Sequence, residues 1–161
     1  MVNRTIPTRY EKAAVAHVMV DGADAAMRFY AEAFGAEELF RIAHPDGRVL
    51  HAEMAVGGSV FMVGDADGIF ASPRTLGATT VGLHVYVDDV DGLAERAVRA
   101  GAELLQEPTD MFYGDRTVML RDPFGHVWVF LTHQEDLEPD EIARRGNELL
   151  ARTGPGGHGG P

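Results

Sequence analysis

Four side chains carry most of the chemistry legible in this sequence: His17, His51, Glu53 and His84. Imidazole and carboxylate groups exchange protons near neutral pH, and they also bind zinc, iron, nickel or manganese. His51 and Glu53 are two apart in an alternating run, so on a strand they share a face. The turn Gly57-Gly58 pairs Val56 with Ser59 and so brings Glu53 opposite Met62. On a buried face Glu53 is the best general base, because burial raises a carboxyl pKa toward the working range. Its competing role is a salt bridge with an arginine. His17 and His84 each fit a pocket imidazole or a hydrogen-bonded core residue. His126, in the turn before Trp128, reads as structural, and His44, His133 and His158 lie in or near loops without evident partners. The absence of cysteine excludes disulfides, thiolate ligands and thiol nucleophiles. The serines are Ser59 and Ser72, neither set in a nucleophile elbow, and Gly57-Gly58 is a hairpin turn rather than a phosphate loop.

The elements that position these residues repeat. Val15-Ala-His17-Val-Met-Val-Asp21 aligns with Gly82-Leu-His84-Val-Tyr-Val-Asp88, which puts His17 and His84 at equivalent places. Each run predicts a strand ending in an aspartate, with Asp21 and Asp88 placed to accept from free donors of a following helix. Met27, Tyr30 and Phe34 then fall at helical spacing, as do Val90, Leu93, Ala94 and Ala97. Both helices stop at glycine, in Gly35-Ala-Glu-Glu-Leu39 and Gly101-Ala-Glu-Leu-Leu105. Three strand-like runs follow each: Glu38–Ala43, Val49–Val56 and Ser59–Val63, then Ala102–Gln106, Arg116–Arg121 and Val127–Thr132. The expected fold is α+β, two tandem βαβββ modules with a C-terminal helix. The expected organisation is a single domain over residues 1–152: modules 13–64 and 80–133, a linker 65–79 and a helix 138–151. The tail 153–161, rich in glycine and proline, is expected to be disordered.

This order of elements resembles the glyoxalase/bleomycin-resistance fold, the vicinal oxygen chelate superfamily, and within it a PhnB-like branch. The segments that carry the resemblance are Val20-Asp-Gly-Ala-Asp-Ala-Ala-Met-Arg-Phe-Tyr30, Phe34-Gly-Ala-Glu-Glu-Leu39, His51-Ala-Glu53, Leu83-His-Val-Tyr-Val-Asp-Asp-Val-Asp91, Tyr113-Gly-Asp-Arg116 and Asp122-Pro-Phe-Gly-His-Val-Trp128. The resemblance implies a cup-shaped sheet from each half, the two cups enclosing a pocket. It also implies one divalent metal, held by the first and fourth strands of each half. Those ligand positions fall here at Val15, Met62, Gly82 and Val129, none of which binds a hard or borderline metal. Two-residue spacing then points His17, His51, Glu53 and His84 into the pocket, with Met62 and Tyr86. Val118, Leu120, Val129 and Leu131 are expected to share the inward phase, and Phe61 and Trp128 to face out against the helices or a partner subunit. A displaced metal set of His17, Glu53 and His84, with or without His51, is the alternative arrangement. Tyr113 adds aromatic surface near the pocket. Arg116, in phase with Val118, would clamp a substrate carboxylate or phosphate, or merely order its loop with Asp115.

The balance of 25 acidic against 14 basic residues, a formal charge of −11, argues against a nucleic-acid surface. The first twelve residues are polar and no run has membrane-spanning length, so a cytoplasmic protein is expected. The functional expectation is a small-molecule pocket, metal-independent, that sequesters an organic ligand or catalyses proton transfer with Glu53 and His84 as catalytic groups. The ligand would be bound by His17, His51, Met62, Tyr86, Tyr113 and Arg116. The alternative is a divalent-metal lyase, isomerase, hydrolase or dioxygenase at the displaced site. A vestigial pocket in an oligomeric or regulatory protein is the third reading. A homodimer fits the extra helix and the outward aromatics.

Overall fold

The structure is a computed structural model, and it describes residues 7–10 and 13–153. A short 3-10 turn, Thr8–Tyr10, precedes the first module: β1 His17–Val20, α1 Ala23–Phe34, β2 Glu37–Ala43, β3 Val49–Val56 and β4 Ser59–Asp65. A one-turn helix, α2 Pro73–Leu76, lies in the connection. The second module is β5 Gly82–Tyr86, α3 Val90–Ala100, β6 Glu103–Asp110, β7 Asp115–Arg121 and β8 Val127–His133, followed by α4 Pro139–Thr153. The fold is α+β, two mixed four-stranded sheets ordered β1-β4-β3-β2 and β5-β8-β7-β6. The expected tail begins with Thr153, the last residue of α4; residues 154–161 lie outside the described residues.

Each sheet has a helix-covered face, and the two helix-covered faces share a single core. Val18, Ala52, Met54, Phe61 and Val63 of the first sheet join Val85, Val118, Leu120, Trp128 and Phe130 of the second. Between them lies the apolar stripe of α1, where Tyr30 and Phe34 are buried against Trp128 with ring centroids 5.4 and 5.1 Å apart. Phe61 reaches the same indole at 5.3 Å. The outward placing of Phe61 and Trp128 thus resolves as packing against helix α1. Aromatic burial of this kind stabilises by about 1.5–3 kcal/mol per ring.

Two polar bridges fasten one module to the other. The buried carboxylate of Asp122 accepts from the Tyr30 hydroxyl at 2.8 Å and from the Trp128 indole at 2.9 Å. It also accepts from the backbone N–H groups of Phe124 and His126, both at 2.9 Å, which closes its own turn. His126 Nε2 lies 2.9 Å from the Met19 carbonyl oxygen, a structural contact across the modules. The hairpin glycine Gly57, at φ +55°, docks so close that an added Cβ would lie 2.2 Å from the Tyr86 carbonyl oxygen.

Helix starts differ from the sequence expectation. Asp65, at the end of β4, accepts from Gly22 and Ala23 at the α1 N-terminus and from Val49 with its other oxygen. Asp21 instead accepts from the Ser72 hydroxyl. For α3 the capping residue is Asp89, one later than Asp88, accepting from Gly92 N–H at 3.0 Å. A carboxylate from a distant strand does at α1 what a local cap does at α3. Both helices end at left-handed glycines, Gly35 and Gly101.

Candidate functional site

The faces not covered by helices carry the predicted chemistry. In the first sheet the register runs His17 to Met62 to Glu53 to Phe40, one row across β1, β4, β3 and β2. In the second, the equivalent row is His84 to Val129 to Met119 to Gln106. The duplicated histidines therefore occupy matching places in matching rows. His17 and His51 meet edge to face at 5.5 Å, and Phe70 lies 6.4 Å from His17. Glu53 is buried, with His51 Nε2 at 3.8 Å from its Oε1. Burial first, then the His51 imidazole, holds His17 below its ordinary pKa, while Asp67 opposes both.

The two rows do not meet within one chain. The sheets form no closed barrel, and His17 and His84 line separate clefts of about 230 and 360 Å³. Among the described residues no group of three histidine, aspartate or glutamate side chains stands ready to hold a metal ion. The displaced set of His17, Glu53 and His84 is therefore not assembled in a single chain. The family's four ligand positions fit a metal no better. Val15, Gly82 and Val129 have no donor side-chain atom, and Met62 offers only a soft thioether.

Arg116 requires a correction. Val118 lies opposite Phe130 and Leu120 opposite Trp128, so both face the helices, not the same side as Val129 and Leu131. The inward residues of β7 are Thr117 and Met119, opposite Leu131 and Val129. Arg116 goes with Val118 and points away from the helix-free face. Its guanidinium donates to Asp91 of α3 at 2.7 and 2.8 Å and to Asp110 at 2.9 Å. Those carboxylates hold its pKa above the usual arginine range. It ties α3 to β6 through Asp91 and Asp110, on the opposite face from His84.

A second polar cluster escaped the sequence reading. The Tyr86 hydroxyl donates to Asp115 Oδ2 at 2.7 Å, and His133 Nδ1 lies 2.8 Å from Asp115 Oδ1. His133 Nε2 is 2.9 Å from Asp136. Asp115 is buried, and its bond to His133 is the main reason that imidazole sits above its ordinary pKa, with Asp136 adding to it. Tyr113, in the turn before β7, stacks edge-on with Phe112 at 5.2 Å. His133 was expected to have no partner. The signal was present in the Asp122–His126 turn, because counting outward from it along β7 and β8 sets Asp115 opposite His133.

Tandem βαβββ modules, each with a histidine at the same place on its helix-free face, define a duplicated scaffold. Residues 13–130 match the Glyoxalase/Bleomycin resistance protein/Dioxygenase superfamily, and the chain belongs to it. It is 37% identical over 143 residues to the uncharacterized protein Rv0887c of Mycobacterium tuberculosis (strain ATCC 25618 / H37Rv), covering 86% of this chain and 84% of that one. The crystal structure of TioX from Micromonospora sp. ML1 superposes with a TM-score of 0.62 at 28% identity, over 79% of this chain and all (100%) of TioX. The fosfomycin resistance protein FosX of Listeria monocytogenes shares the fold, with a TM-score of 0.57 at 15% identity over 81% of this chain and 96% of FosX. No helix among the described residues is long and apolar enough to cross a membrane.

Proposed function

We propose that this chain binds a small organic molecule on the helix-free faces of its sheets, as a homodimer and without a resident metal. One observation carries the reading: a sheet face with a buried carboxylate and two imidazoles is bordered by apolar side chains left uncovered. Around His17, His51 and Glu53 lie Phe40, Ile42 and Phe70, exposed to 39, 51 and 55%. An apolar floor with a few convergent polar groups is the composition of an organic-ligand pocket. A second copy laid over this face would both cover the apolar border and complete a pocket that one chain leaves open. His17, His51 and Met62 supply contacts on the first sheet, and His84, Tyr86 and Tyr113 on the second. Where the bound molecule is a carbon acid, Glu53 is the base, backed by His51. The PhnB-like pattern of motifs fits this reading, and so does a cytoplasmic setting.

The test combines three measurements. A panel of aromatic metabolites and drugs should raise the melting temperature of the protein, and His17→Ala should weaken the response. Sedimentation should give twice the monomer mass. Elemental analysis of protein purified without added metal should give a metal content well below one per chain. Stoichiometric metal that is lost in both His17→Ala and His84→Ala would overturn the proposal in favour of a metalloenzyme of the lyase, isomerase, hydrolase or dioxygenase kind. A monomer would remove the composite pocket.

A further inference from the structure

Gly64 sits in β4 without the usual reason for a glycine. Its backbone is not among the left-handed ones, and glycine inside a strand costs roughly 0.5–1 kcal/mol relative to alanine. What the position needs is room. The parallel register sets Gly64 beside Met19 of β1, and continuing the Ala52–Val63 pairing by one residue sets it beside His51 of β3. A Cβ added to Gly64 would lie 3.0 Å from His17 Nε2, 3.2 Å from the Leu50 carbonyl oxygen and 3.7 Å from the Met19 methyl carbon. The first two separations are shorter than a methyl group's comfortable contact, so a neighbour would have to move. His17 itself belongs to the adjacent row, opposite Met62. Its imidazole therefore leans along β1 and over Gly64.

That lean explains a contact the sheet order does not provide by itself. β4 lies between β1 and β3. Neighbouring strands run about 4.8 Å apart, so the backbones that carry His17 and His51 stand roughly 10 Å apart. Their rings nevertheless meet edge to face at 5.5 Å, and Phe70 lies 6.4 Å from His17. The two imidazoles can meet only above β4, and there the strand offers Gly64. We infer that Gly64 is a positioning residue of the ligand face: its missing side chain seats the His17 imidazole against His51 and joins histidines of two non-adjacent strands into one pair. The assignment rests on reading that face as the one that binds a small molecule. On an edge strand such as β1 an unseated histidine samples several rotamers, and a ligand bonding to it must first hold it still. In its seat the ring is held in advance. The same seat withdraws His17 from water and sets it beside a second imidazole, which keeps it below its ordinary pKa against the pull of Asp67.

NMR of the isotope-labelled full chain tests the assignment without any ligand. The parent protein should show a nuclear Overhauser contact between the ring protons of His17 and His51. In Gly64→Ala that contact should disappear, and the His17 pKa should rise toward 6.5. His51→Ala should raise the His17 pKa in the parent and leave it unmoved in Gly64→Ala, where the pair is already parted. Gly58→Ala alters the hairpin of the same sheet at an open position and should change neither readout. A ring contact and a His17 pKa that survive Gly64→Ala would reduce the glycine to a packing role and overturn the assignment, as would an equal change in Gly58→Ala. Should Gly64→Ala fail to fold, adding His17→Ala vacates the space that the imidazole holds, and a cooperative melting transition should return. No recovery would lay the clash on the Leu50 carbonyl and sink the assignment likewise. Either failure leaves the small-molecule reading to be decided by its own ligand panel with His17→Ala.

Discussion

Replacing Asp122 by alanine tests the claim that one buried carboxylate fastens the two modules together. Asp122 accepts four hydrogen bonds, two of them from side chains that are fully buried, the Tyr30 hydroxyl and the Trp128 indole N–H. Alanine leaves both of those donors without this acceptor, in a site too tightly packed with rings to admit water readily. An unmet buried donor costs about 1–3 kcal/mol, and the part-buried His126 amide recovers part of its loss from solvent. The expected destabilisation is about 3–5 kcal/mol, a large share of the about 5–15 kcal/mol that holds a domain of this size. Tyr30→Phe removes one donor and leaves three, so about 1.5–3 kcal/mol is expected. The double variant should cost clearly less than the sum, because both changes delete the same bond. Urea unfolding followed by the fluorescence of Trp128, the chain's one tryptophan, reports from the site itself. A loss below about 1 kcal/mol for Asp122→Ala at an unchanged m value, or strict additivity, would refute the reasoning. Alkaline titration gives an independent check. Burial and then Asp122 hold the Tyr30 phenol far above its usual range. That stability is complete below the unfolded tyrosine pKa near 10 and is lost as pH rises beyond it, so Tyr30 should ionise only on unfolding.

Further outcomes follow from the same geometry. Gly57→Ala should destabilise by about 2–4 kcal/mol, since a left-handed conformation and a backbone clash combine there. Gly58→Ala, with nothing within 4 Å of its Cβ, should lose only about 1 kcal/mol in the same denaturation assay. His133 should titrate above 6.5 by NMR, and Asp115→Asn should bring it down. The raised value means its stabilising share is full below 6.5 and lost as pH rises through the folded pKa. His17 runs the other way: held below 6.5, it weakens the fold as pH falls from 6.5 toward its folded pKa, and His51→Ala should raise it. Arg116→Ala should give a small, salt-sensitive loss of stability and leave ligand-induced melting shifts unchanged; a lost shift would restore Arg116 to the pocket.

Much of this protein was legible because its signals are local. The repeat, the glycine stops and the helical stripes depend on neighbours within a few residues, and they determined the two modules and the equivalence of His17 and His84. The Gly57-Gly58 turn likewise set Glu53 opposite Met62, because a two-residue hairpin leaves its register no freedom. β7 defeated the same method. Arg116-Thr-Val-Met-Leu-Arg121 places apolar residues on both faces, so alternation alone does not say which side meets the helices, whereas Val129 and Leu131 of β8 do share the face of His84. Only pairing Val118 with Phe130 decided it, and with it the fate of Arg116. The α1 cap came from Asp65, a strand away, and the Tyr30–Asp122 bond joins residues from different modules. His17 and His84 lie on separate clefts because α1 and α3 pack together and draw both sheets' helix-covered faces into one core. The sequence determined which residues share a strand face, and the packing of those helices decided which faces look at one another.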